Sequence, residues 1–196
     1  MITSLLAGAG FSFSSGLNAY LPLLILALAD RIGSSLELES PYHWISTNEG
    51  LLALLILVPV ELLADKIPRI DHLNDLVHTA IRPVAGAFCF MAVASDEGSP
   101  HVWLAGSMGL AIAGSVHVWK MRARVKITRA TSGLGNPFVS VLEDGIAIIV
   151  AILAAAAPVV NVAAIPLGLA IIQRSFRRMA KGESRLIHAF QPRSRT

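Results

Sequence analysis

Eight residues of this chain have side chains able to bind a cation, carry a proton or line a polar pocket in apolar surroundings. They are Glu61, Asp65, Asp75, His78, His117, Asn136, Glu143 and Asp144. Glu61 and Asp65 are four residues apart, so a helix places them on one face, one turn from each other. Asp71, Asp75, His78 and Arg82 follow an i, i+4, i+7, i+11 pattern. His117 precedes Lys120 by one turn, Glu143 and Asp144 open an apolar run, and Asn136 lies in the Gly- and Pro-containing segment "TSGLGNPFVS". Carboxylates attract cations or take up protons, and an imidazole exchanges protons near neutral pH. An unpaired charge in an apolar chain is costly, so these groups should face the protein interior, water or a cation. The expectation is a shared acidic pocket that opens toward the cytoplasm. The alternative is that each group sits separately in a headgroup layer.

Other chemistries fit less well. Asp71, Asp75 and His78 could offer three ligands from one helix face, but no fourth is fixed nearby, so a metal is left unassigned and no cofactor is expected. There is no Gly-x4-Gly-Lys-Ser/Thr phosphate loop. Arg82-Pro83 and Ser132-Gly133 echo part of a lipid-phosphatase pattern, but Lys66 is wrongly spaced from Arg82 and Leu134 stands where a histidine is required. No catalytic set is visible, and the reading leans away from an enzyme.

The elements that must position these residues are membrane helices. The chain has 196 residues, of which 54% are hydrophobic and 15% charged, against about 25% charged in soluble domains. A crossing needs about 20 apolar residues, and six candidates are present: 5–30, 48–65, 83–96, 102–120, 141–157 and 159–176. The last two are separated by Pro158 and read as a helical hairpin. The fold class is therefore all-α, a polytopic membrane helical bundle of about six transmembrane helices. Residues 1–180 form a single transmembrane domain, and 181–196 a flexible basic cytoplasmic tail. The start "MITSLLAGAGF" lacks a positive leader and is read as part of the mature chain. Cys89 is the one cysteine, so no intramolecular disulfide is expected.

Between the second and third candidates, "ADKIPRIDHLNDLVHTAIRPVAGAF" carries an apolar stripe at Leu73, Leu76, Val77, Ala80 and Ile81. That periodicity predicts a short amphipathic helix in the cytoplasmic interface, its acids pairing with His78 and Arg82. Pro83 disfavours helical geometry at Arg82, so the next crossing is expected to start afresh there. The segment 127–140 is expected to be irregular, with a path that could dip into the membrane.

Charge placement sets orientation. Inner connections hold Lys66, Arg69 and Arg82, then Lys120, Arg122, Arg124, Lys126 and Arg129. The tail adds Arg174, Arg177, Arg178, Lys181, Arg185, Arg193 and Arg195. Together these are fifteen of the sixteen Lys and Arg residues. Basic residues flanking crossings mark the cytoplasmic side, so both termini should lie inside. The net charge of +3 then reflects topology, and nucleic acid is not an expected partner.

Small residues predict close helix contacts: Gly8, Ser12 and Gly16 in the first crossing, and Ala105, Gly109 and Ala113 in the fourth. "LAG" occurs at residues 6–8 and 104–106, a faint sign of an inverted repeat. The run "SFSSGLNAYLP" in the first crossing could be a broken helix lining a cavity, or ordinary interhelical hydrogen bonding.

The segments "SGLNAYLPLL", "ELLADKIPRIDHLNDLVHTAIRPVAGA" and "SGLGNPFVSVLED" resemble domain-of-unknown-function family 4126, small bacterial polytopic membrane proteins. The resemblance covers about residues 5–180 and implies a bacterial inner-membrane protein; it supplies no ligand or catalytic residue. On the residues themselves, the leading expectation is a transporter or channel for a small solute or ion, acting as a homo-oligomer. The second is a scaffold whose basic face holds membrane lipids with anionic headgroups. The third is a membrane-embedded lipid-modifying enzyme.

Overall fold

The computed structural model describes residues 2–33, 36–64, 71–94, 102–131 and 135–190, with backbone alone for 71–75 and 179–190. The described residues are helical, without strands. The helices are α1 (Ile2–Leu17), α2 (Tyr20–Arg31), α3 (Asn48–Ala64), α4 (Asp71–Ala94), α5 (Val102–Thr131), α6 (Asn136–Ala156) and α7 (Asn161–Phe190). Four stretches are long and apolar enough to cross a bilayer: Leu76–Ala94, Val102–Thr131, Asn136–Ala156 and Pro158–Arg178; α1 is a shorter apolar helix.

Helix α1 is the centre of the bundle. Every residue from Gly10 to Ala19 is buried, on all sides of the helix. Such burial needs small side chains, and the expected small-residue contacts are present. Gly8 lies under the Phe90 ring of α4, and Ser12 Oγ donates to the Gly86 carbonyl at 2.9 Å. A Cβ on Gly16 would come within 2.7 Å of the Ala113 carbonyl of α5. Helices α4 and α5 cross backbone to backbone, with Gly86 against Gly109. Ser14 Oγ donates to the Ala147 carbonyl at 2.8 Å, fixing α1 against α6.

Two expectations fail in an instructive way. Among the described residues no separate interfacial helix precedes the candidate span Leu76–Ala94: α4 runs unbroken from Asp71 to Ala94, with Pro83 inside it. A proline in a helix removes one hydrogen bond and crowds one carbonyl. A full break at Arg82 would free several backbone groups where lipid offers no partner, so continuation is the smaller loss. Pro59 in α3 and Pro166 in α7 are interior for the same reason. Pro83→Ala should accordingly leave the unfolding midpoint in detergent unchanged or raised; a large fall would mean that the ring itself is needed.

The second concerns the segment after the fourth crossing. Helix α5 extends for 30 residues, about 45 Å at 1.5 Å per residue, carrying its basic residues on helix rather than loop. Residues 127–131 belong to α5 and 136–140 to α6, so most of the expected irregular segment is helical. Beyond it, Ala157 (φ −149°, ψ 66°) ends α6, and a short turn over Pro158–Val160 leads into α7, giving the expected hairpin. Helix α7 continues to Phe190, into the segment read as tail.

Candidate functional site

The apolar N-terminal segment is broken at Asn18 and Ala19, between α1 and α2, and interior charges gather at that break. A helix start leaves four N–H groups without intrahelical partners, and here each is accounted for. Ala19 N–H reaches both Glu61 carboxylate oxygens at 3.0 Å, and Tyr20 N–H reaches Oε2 at 3.2 Å. Leu21 N–H donates to Asn18 Oδ1 at 3.0 Å, and Pro22 has no N–H to satisfy. At the other side of the break, Lys120 Nζ donates to the Leu17 carbonyl at 2.7 Å. An anion at the start of α2 and a cation at the end of α1 also match the helix dipoles. The motif "SGLNAYLP" thus codes a break whose α2 start and Leu17 carbonyl are satisfied by protein groups.

Glu61 is the hub on the α2 side. Arg82 of α4 donates to its Oε1 from Nη2 at 3.1 Å and from Nε at 3.3 Å, and His78 Nε2 lies 3.4 Å from the same oxygen. Arg82 Nη1 lies 3.1 Å from His117 Nδ1. A guanidinium only donates, so Nδ1 accepts; His117 is then neutral with its proton on Nε2, directed at Thr79 Oγ1 at 3.1 Å. This tautomer is assigned from the hydrogen-bond network.

Glu143 is the hub on the α1 side. Its Oε2 accepts from Arg124 Nη2 at 2.8 Å and lies 3.4 Å from Lys120 Nζ. Asn18 Nδ2 donates to Asp144 Oδ1 at 3.3 Å, tying the break to α6. Asn136 exchanges hydrogen bonds with Thr128 Oγ1 two turns from Glu143 on the same α6 face. The α5 side of the network is a single stripe, with His117, Lys120, Arg124 and Thr128 at i, i+3, i+7, i+11.

Six of the eight sequence candidates lie in the interior: Glu61 contacts His78 and reaches His117 through Arg82, Glu143 and Asp144 are neighbours on α6, and Asn136 bonds Thr128 two turns from Glu143. Asp65 lies outside the described residues, and so does the Asp75 side chain. Those six are at most 6% exposed, so they form a closed interior network rather than line an open vestibule. Three basic members were not among the candidates: Arg82 and Lys120, both 0% exposed, and Arg124, 3% exposed. The sequence presents Lys120 and Arg124 as topology signals and Arg82 as a partner for the acids of its own helix; in the fold they are the bases that pair with Glu61 and Glu143. The available signal was helical phase, because Lys120 and Arg124 share the His117 face while Arg122 and Lys126 do not. Among the described residues, no group of three or more His, Cys, Asp or Glu could hold a metal ion.

Among the buried side-chain atoms that lack a hydrogen-bond partner in the described residues, Glu143 Oε1 and Ser140 Oγ lie one turn apart on α6. A buried carboxylate oxygen left unpaired costs about 1–3 kcal/mol or more. The chemistry that relieves it is a proton, a water molecule or a small cation.

Apolar helices around a broken central helix, with a charge-balanced interior, place this chain in the class of integral membrane helical bundles. The chain belongs to the family described as Domain of unknown function (DUF4126), whose profile matches residues 5–178. No curated protein and no solved structure matches it.

Proposed function

We propose that this protein moves a small cation, a proton or a monovalent metal ion, across the bacterial inner membrane through exchange at Glu143. The single observation that carries this reading is the unsatisfied pair Glu143 Oε1 and Ser140 Oγ, buried beside the break in the first crossing. Glu143 already shares its other oxygen with Lys120, which also holds the Leu17 carbonyl. A cation arriving at Glu143 competes with the Lys120 ammonium. Displaced from the carboxylate, Lys120 keeps its bond to the end of α1, so occupancy of Glu143 is felt at the break. Discontinuous helices with charged ends are a known way to build ion sites inside membrane proteins. In this reading α1 and α2 together make one crossing of six, and both termini face the cytoplasm, as the basic residues on the outer faces and tail favour.

The test is flux into proteoliposomes, read with a pH-sensitive dye for protons and with radioactive sodium or rubidium for metal ions. Glu143→Gln should reduce flux at least about tenfold, the loss expected when a charge-carrying group is removed. Ser140→Ala keeps every ion pair and should fold normally while raising the cation concentration for half-maximal flux. Unchanged flux in both variants would remove this site from the function.

A further inference from the structure

The exterior of α5 carries a feature that the interior network does not use. A cleft of about 360 Å³ between α5 and α7 is lined by Arg122, Lys126, Arg177 and Gln173, with Trp119 and Phe176 among its apolar members. The two rings rest against each other with centroids 5.8 Å apart. A second groove of about 460 Å³ runs along α5 past Leu110, Ala111, Gly114, Ser115 and Val118, and it shares Trp119 and Arg122 with the first. The two grooves therefore adjoin at Trp119 and Arg122, the one basic and the other largely apolar. From Leu110 to Lys126 they follow α5 for about 24 Å, close to the length of one lipid with its chains in a single leaflet, half of a bilayer about 40–45 Å thick.

The depth agrees with this. Arg122 and Lys126 lie 20 and 24 residues beyond the start of α5 at Val102, about 30–36 Å along the helix, where hydrocarbon gives way to headgroups. Neither α5 nor the Asn161–Arg178 part of α7 contains an acidic residue. Among the described residues, no hydrogen bond or ion pair engages Arg122, Lys126 or Arg177. A neighbouring tryptophan at the junction suits the interface, where indole is favoured.

We propose that this composite groove is a binding site for one anionic phospholipid. Its phosphate is held by Arg122, Lys126 and Arg177, with Gln173 donating to headgroup oxygens, and an acyl chain lies along α5 over Ala111 and Gly114. The site is separate from the Glu143 exchange site and does not depend on transport. Basic side chains near a membrane surface each contribute about 1 kcal/mol toward anionic lipid, but diffuse attraction of that kind recognises no particular face. The groove does.

The test is native mass spectrometry of the full chain in neutral detergent, titrated with phosphatidylglycerol and separately with phosphatidylcholine. The wild-type protein should retain phosphatidylglycerol with at least about tenfold preference. The Arg122→Gln, Lys126→Gln, Arg177→Gln triple variant should lose that preference. Arg129→Gln with Arg174→Gln removes two exposed charges outside the groove and should keep it. Ala111→Trp fills the apolar half without changing charge and should weaken phosphatidylglycerol retention about fivefold, as loss of an acyl-chain seat would. Equal losses from both charge variants would show diffuse attraction and overturn the proposal. Full retention in Ala111→Trp, or displacement of the lipid by inorganic phosphate at equal concentration, would likewise overturn it.

Discussion

Glu61→Ala is expected to destabilise the folded protein by about 3–5 kcal/mol, the range for removing one partner of a buried ion pair. Arg82 is 0% exposed and would keep its charge with no counter-ion at that oxygen. The N–H groups of Ala19 and Tyr20 would lose their acceptor at the same time. Glu61 also ties α3 to the bundle near the C-terminal end of that helix. Farther out, α3 and α4 flank an apolar cleft of about 370 Å³ bordered by Leu54, Leu57, Ile81, Val84 and Phe88. Equilibrium unfolding in detergent, by circular dichroism and with Arg82→Leu and the double variant alongside, gives the coupling directly. The double variant should be much less destabilised than the two single effects added together. Strict additivity would mean that the pair is not energetically linked. Glu61→Gln retains an acceptor for α2 and should fall between wild type and Glu61→Ala.

Gly109→Val comes next in size. A Cβ at this position would collide with the Gly86 carbonyl and lie 2.7 Å from Phe90 Cβ and 2.9 Å from Ala87 Cα. Overpacking typically costs about 1–3 kcal/mol, and more when the obstacle is backbone that cannot change rotamer. The helices must separate, and Arg82 lies one turn from Gly86 on α4. The variant should therefore lower the unfolding midpoint and also weaken the coupling between Glu61 and Arg82. Gly145→Ala is the control, since nothing lies within 4 Å of a Cβ built there. A Gly109→Val protein as stable as this control would show that the crossing does not need backbone contact.

The class of the protein was legible because lipid imposes one strong rule, long apolar runs with every backbone group paired internally. The carboxylates were legible for the complementary reason, since Glu61 and Glu143 stand inside such runs. The bases were misassigned because a lysine or arginine near the end of a crossing has the same sequence signature whether it snorkels outward or turns inward. Lys120 and Arg122 are two residues apart, yet one is buried against Leu17 and the other lines an outer cleft. The unbroken course of α4 through Pro83 was missed because a rule weighted by soluble helices overstates the gain from breaking. In water the freed groups are solvated, and in lipid they are not. The break at Asn18 was legible as one of two options. What decided it is the Glu61 carboxylate 42 residues away in the chain, which no local pattern can show.

The central position of α1 bears on how the protein is made. Its partners arrive late: Leu17 waits for Lys120, 103 residues on, Asn18 for Asp144, 126 residues on, and Ser14 for the Ala147 carbonyl, 133 residues on. Until the ribosome has delivered α5 and α6, the Leu17 carbonyl, Asn18 Nδ2 and Ser14 Oγ lack these partners, although Ser12 already has the Gly86 carbonyl of α4 and Ala19 already has Glu61 of α3. The early residence of α1 in the bilayer is provisional, and full docking must follow completion of the C-terminal half. Nascent chains that stop after α4 should therefore be substrates for membrane proteases, whereas chains that reach the end of α6 already hold every partner the break requires.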